Sequence, residues 1–136
     1  MLELSTEATS LAGILVLAVV TIEFGGWFLT RIATGDVPTT EFQRSFARAG
    51  HGMAGALVTL GLVGAILTDA TTLDGFVGWV ARSGVPLAAI LMPAGFFLSS
   101  TGAGRTKPNG LVWLVWIGAV FLAAGVITLG IGLLAA

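Results

Sequence analysis

Apolar residues fill the chain in four long stretches, separated by short segments that hold most of its charge. The first stretch runs from about Leu11 to Thr30 and the second from about Ala49 to Leu67. The third, shorter, runs from about Ser83 to Ser100, and the fourth from about Leu111 to Leu134. A helix rising 1.5 Å per residue needs roughly 20 such residues to cross a bilayer. A helix on a soluble domain presents one apolar stripe and one polar face, and these four stretches show no polar face. The pattern predicts an all-α membrane protein: a single domain over residues 1–136 built as a four-transmembrane-helix bundle.

Local signals refine the elements. Thr40 followed by Gln43 fits a capping box, so the second helix is expected to start ahead of its span. Phe42 and Phe46 then share one face, and Glu41, Arg44 and Arg48 another. Gly75–Ala81 reads as an interfacial segment before the third span. Pro86 is expected in the first turn of that span, where a missing N–H costs little, and Pro93 is expected to kink it. The first stretch is not expected to be a secretory signal, because Glu3 and Glu7 stand where a basic segment belongs.

The two halves echo each other at a constant offset of 69 positions. Gly26-Trp27-Phe28-Leu29-Thr30 aligns with Gly95-Phe96-Phe97-Leu98-Ser99, Gly35 with Gly104, and Val58-Thr59-Leu60-Gly61-Leu62 with Ile127-Thr128-Leu129-Gly130-Ile131. This is the pattern of a duplicated helical hairpin, a parallel repeat about an axis along the membrane normal. The unusual polar residues do not repeat. Glu23 aligns with Met92, Arg48 with Ile117 and His51 with Val120, which places any site in the first half.

Composition agrees with lipid as the solvent. The chain is 56% hydrophobic and 10% charged, against about 25% charged in soluble domains. A net charge of −1 with no basic cluster gives no reason to expect a nucleic-acid partner. The absence of cysteine excludes disulfides and thiolate chemistry, and one histidine makes a zinc site within one chain improbable. Arg31, Arg44, Arg48, Arg105 and Lys107 fall on one side of the predicted topology. The positive-inside rule then makes that side cytoplasmic and puts both termini on the other. Trp27, Trp113 and Trp116 fall near the cytoplasmic ends of spans and Trp79 near the outer face, where amphipathic rings settle.

Candidate chemistry is sparse, and no catalytic set is expected. Glu23 lies about two turns inside the first span, where a carboxyl either carries a proton or cation or is a structural group, protonated or paired with Arg48. His51, Gly55 and Thr59 recur every four residues on the second helix and are expected to face the bundle interior. His51 could relay protons, bind haem iron, or hydrogen-bond a helix backbone. Glu23, Arg48, His51 and Thr59 together form the candidate intramembrane polar site. Gly52 and Ala56, Gly61 and Ala65, and Ala119 and Ala123 are small residues four apart that permit close helix packing. The segment 102–110 lacks the order of a phosphate-binding loop and reads as a flexible basic turn.

The string Phe46-Ala47-Arg48-Ala49-Gly50-His51-Gly52-Met53-Ala54-Gly55 resembles the R-A-G-H-x-x-A-G motif of a group of small bacterial four-helix membrane proteins. Pro93–Ser99 and the glycine-rich last helix are similar to that group too, so the resemblance covers nearly the whole chain. It implies a fold and a multi-pass place in the bacterial cytoplasmic membrane, but no activity. Group members carry a second histidine where this chain has Met53. Glu23, His51 and Gly52 also resemble the first two helices of the haem-copper oxidase large subunit, whose histidine ligates haem, although no second axial histidine exists here. The expected role is a non-enzymatic accessory or scaffolding subunit, forming a homo-oligomer or joining a larger membrane complex. The alternatives are a proton- or cation-coupled transporter component using Glu23 and His51, and a haem-binding redox subunit.

Overall fold

The computed structural model describes residues 3–136. Among them are four α-helices: α1 (Thr6–Ala33), α2 (Glu41–Thr68), α3 (Gly75–Ser99) and α4 (Trp113–Leu134), the last entered through a 3-10 turn, Gly110–Val112. Each of the four is long and apolar enough to cross a bilayer. The chain is a multi-pass membrane protein folded as an all-α four-helix bundle. All four tryptophans are at least half exposed on its outer surface.

The helices pack in chain order. α1 rests on α2, α2 on α3 and α3 on α4, with a minor contact between α2 and α4. α3 is therefore interior and α1 is an edge. Leu15, Leu57, Val58, Val85, Ala88, Ala89 and Met92 form the buried core where the first three helices meet.

The third helix differs from the sequence expectation. It begins at Gly75, eight residues before Ser83, because Phe76, Val77 and Trp79 continue the helix with their side chains turned outward. Pro86 is consequently not in a first turn but well inside α3, as is Pro93, and the helix runs on through both. Buried proline is tolerated in a membrane helix when neighbouring elements compensate for the lost bond.

Two polar clasps close the ends of the bundle. At the end carrying Arg44 and Arg105, the capping box forms as expected. The Gln43 N–H donates to Thr40 Oγ1 and the Thr40 N–H to Gln43 Oε1, both at 3.1 Å. The Gln43 amide also donates to the carbonyls of Ser100 and Gly102, at 2.9 and 2.8 Å, and the Thr40 hydroxyl donates to that of Arg105. The α2 cap thus doubles as an anchor for the connection to α4. That connection is stapled rather than flexible, because Asn109 also donates to the carbonyls of Ser99 and Leu98.

At the other end Asp69 joins three elements. Its carboxylate accepts from the Ser5 backbone N–H at 2.7 Å and the Ser5 hydroxyl at 2.9 Å, and pairs with Arg82 at 2.6 Å. The Asp69 side chain is only 8% exposed. Burial alone would raise its pKa, but the Ser5 donors and the Arg82 guanidinium outweigh burial and hold the carboxyl below its ordinary value.

Between the clasps, glycine sets the helix spacing. A Cβ on Gly84 would lie 2.6 Å from the Gly125 Cα, and one on Gly125 would lie 2.9 Å from the Gly84 Cα. One on Gly95 would strike the Val115 backbone N at 2.7 Å. The expected pair Gly61 and Ala65 is buried and packs inward. Gly52 and Ala56 face out, and Gly52 has open space around it. Ala123 is exposed too, because Gly118, Gly125, Leu129 and Gly132 carry the contact face of α4.

The offset of 69 positions recurs in the elements. α1 and α3 begin at Thr6 and Gly75, and the helical segments after them begin at Glu41 and Gly110. Gly35 and Gly104 both hold left-handed backbone, with φ of 84° and 64°, a region that glycine enters at little cost. The packing does not repeat, since α1 lies at an edge and α3 at the centre.

Two outcomes are expected. Gly125→Ala forces α3 and α4 apart and costs about 1–3 kcal/mol, read as a lower unfolding temperature in detergent; Gly130→Ala, with nothing within 4 Å, leaves that temperature unchanged. The Asp69 clasp should show in acid. A carboxyl with a depressed folded pKa stabilises fully above its unfolded value, about 3.9 for aspartate, and loses that stabilisation as pH falls through the folded value. Acidification below about pH 4 should therefore lower the unfolding temperature of the native chain more than that of Asp69→Asn.

Candidate functional site

The seam of α1 is narrow. Its inward positions are Ala8, Leu11, Leu15, Ala18, Ile22, Gly25, Leu29 and Ile32, alternately three and four apart as in a two-helix seam. Two helices joined by one seam cannot also enclose the space beside it. A groove of about 550 Å³ therefore opens between α1 and α3, with α2 as its floor. Leu15, Ala18 and Ile22 form one wall, Ala54 and Val58 the floor, and Pro86 and Pro93 part of the other wall. The two prolines share that wall because seven residues are close to two helical turns.

His51 stands at one end of this groove. Its imidazole lies against α1 where that helix has no side chains. A Cβ on Gly25 would sit 3.2 Å from Nδ1, and one on Gly26 would sit 3.4 Å from Cε1. Gly25 gives the ring its room, since a Cβ there would push it back by a few tenths of an ångström, whereas one on Gly26 would make ordinary van der Waals contact. The ring is half-buried, and no hydrogen bond to it forms among the described residues. The only other side-chain donors in the lining are the hydroxyls of Thr21 and Ser83, which donate to the carbonyls of Ala18 and Trp79 in their own helices. The imidazole is thus the groove's one polar side chain free to bind.

The other candidate residues do not gather around it. Thr59 is exposed and its hydroxyl donates to the Gly55 carbonyl at 2.9 Å. The expected inward stripe fails for a geometric reason. Steps of four residues overshoot each turn by about 40°, so two steps carry Thr59 about 80° from the face of His51. Arg48 is exposed and lines a separate cleft with Arg44, Leu29 and Thr30. Glu23 is exposed as well. It precedes Thr30 by seven residues, close to two turns, and so shares that cleft's side of α1. Among the described residues the ion pairs are Arg31 with Asp36 and Arg82 with Asp69, and neither involves Glu23 or Arg48. Opposite His51 at the level of Gly25 and Gly26, the antiparallel register puts Glu23 and Arg48 roughly 8 Å apart in depth. Their Cβ atoms also tilt in opposite directions.

Haem fits this arrangement poorly. Met53, the candidate second ligand, packs against the buried core. Two residues along a helix turn it about 200° away from His51, so one iron cannot take both. No cluster of three potential metal-ligating side chains occurs among the described residues.

Compared with known proteins, the chain matches no family model, no curated protein and no solved structure. Sequence reasoning singled out His51 but missed what surrounds it. The available signals were a Gly-Gly pair inside an apolar helix and two prolines seven apart.

Because His51 is the chain's single histidine, imidazole labelling yields one set of resonances. Gly25→Ala is expected to displace the ring and shift those resonances. Gly13→Ala, with nothing within 4 Å, should leave them in place.

Proposed function

We propose that this chain is a non-enzymatic accessory or scaffolding subunit of a membrane complex, packing on its neighbour through the outer face of α1 and α2. The supporting observation is Glu23. It lies roughly 5 Å from the midpoint of α1 at 1.5 Å per residue, is exposed, and has no ionic partner among the described residues. A charge at the membrane centre costs about 2.5–3.5 kcal/mol on insertion scales, so such residues face protein or water rather than acyl chains. The same face carries Gly52 with open space beside it and exposed Ala49 and Ala56, which would let a neighbouring helix approach closely. The distribution of Arg31, Arg44, Arg48, Arg105 and Lys107 supports a bacterial cytoplasmic membrane topology with both termini outside. A transport path through Glu23 and His51 has less support, since the carboxyl lies on the side of α1 away from the groove.

A photo-crosslinker at Gly52 in native membranes is expected to give one adduct of defined mass, whereas one at Val120 on the far surface gives none. Glu23→Leu should weaken that adduct severalfold. Substrate turnover by the isolated chain, or a single unassociated chain in native membranes, would overturn this reading.

A further inference from the structure

The groove beside α1 has dimensions that select its occupant. It extends along α1 from Leu11 to Gly25, roughly 21 Å at 1.5 Å per residue. Its volume is about 550 Å³, and its lining is apolar except for His51, Thr21 and Ser83. A long space so lined suits a small ligand with an apolar tail. Pocket volumes of about 300–1,000 Å³ are typical of small-ligand sites.

The end at His51 decides the head. Arg31, exposed and stacked on Trp27 at 5.4 Å, marks the interface, where such side chains anchor. It lies five to six residues beyond the level of the imidazole, so the ring sits roughly 8 Å deeper in the apolar layer. A phosphate drawn to that depth would need a cation, and neither Arg nor Lys lines the groove; Arg44 and Arg48 line the separate cleft. A lining without a permanent cation favours an uncharged head. The imidazole offers it an N–H donor, and neither ring nitrogen has a partner among the described residues.

We propose that the groove binds an isoprenoid quinone, with a ring carbonyl accepting a hydrogen bond from His51 and the tail lying along Ile22, Ala18 and Leu15. A quinone combines an uncharged acceptor on a flat ring with a long thin apolar tail, the two features that the groove favours. The assignment is of binding alone, and it uses the side of α1 opposite Glu23.

The test uses the full chain in mild detergent, titrated with a quinone carrying a short isoprenoid tail and read as bound quinone per chain after gel filtration. Saturation at one quinone per chain is expected. His51→Phe removes one hydrogen bond and should weaken binding about tenfold, whereas Thr21→Trp, at an exposed position of the lining, fills that end of the groove and should abolish binding at an unchanged unfolding temperature. Glu23→Leu should leave binding intact, which separates this site from the docking face. Unsaturable partitioning, equal uptake by native chain and Thr21→Trp, or equal displacement by phosphatidylglycerol would overturn the assignment. If His51→Phe does not fold, Thr21→Trp decides alone.

Discussion

Lipid tails are as apolar as leucine, so the membrane supplies no hydrophobic force to hold one helix against another. The bundle depends instead on how closely its backbones approach. Gly84 and Gly125 meet backbone to backbone, and Gly95 lies against the backbone of Val115. These contacts draw α4 onto α3 and make α3 the interior helix. At such spacing dispersion between many atom pairs replaces hydrophobic transfer as the attraction. The clasps at Gln43 and Asp69 then fix the ends where water begins.

The same contacts create an imbalance. Once α3 is committed to α4 on one side and α2 on the other, α1 packs chiefly on α2 and meets α3 only at the core around Leu15. An edge helix with one seam leaves two faces for other molecules. One side of α1 forms the groove that ends at His51. The other presents Glu23, exposed and about two turns along α1 from the cleft of Arg44 and Arg48. Function, in this reading, resides in the hairpin that the core packs least completely.

Gly25 connects these features. Its missing side chain gives the imidazole room against α1, and no hydrogen bond to the ring forms among the described residues. A histidine so placed keeps its polar capacity for a ligand. The cost of leaving it unpaired is smaller for a half-buried ring beside an open groove than for a fully buried group.

The sequence by itself determined the number of spans, the α2 capping box and the 69-residue spacing of the elements. These follow from local rules: the length of an apolar run, the reach of a side chain to its own backbone, and the recurrence of glycine. It also singled out Glu23 and His51 as unusual for their surroundings. Only the tertiary structure decided that they face different sides of α1, that Thr59 turns outward, that α3 begins at Gly75 and carries Pro86 in its interior, and that Asp69, Ser5 and Arg82 converge. The physical reason is that every face of these helices is apolar, so hydropathy gives no direction to the core. Direction comes from where two backbones can touch, and that depends on pairs of glycines more than 40 residues apart, such as Gly84 and Gly125.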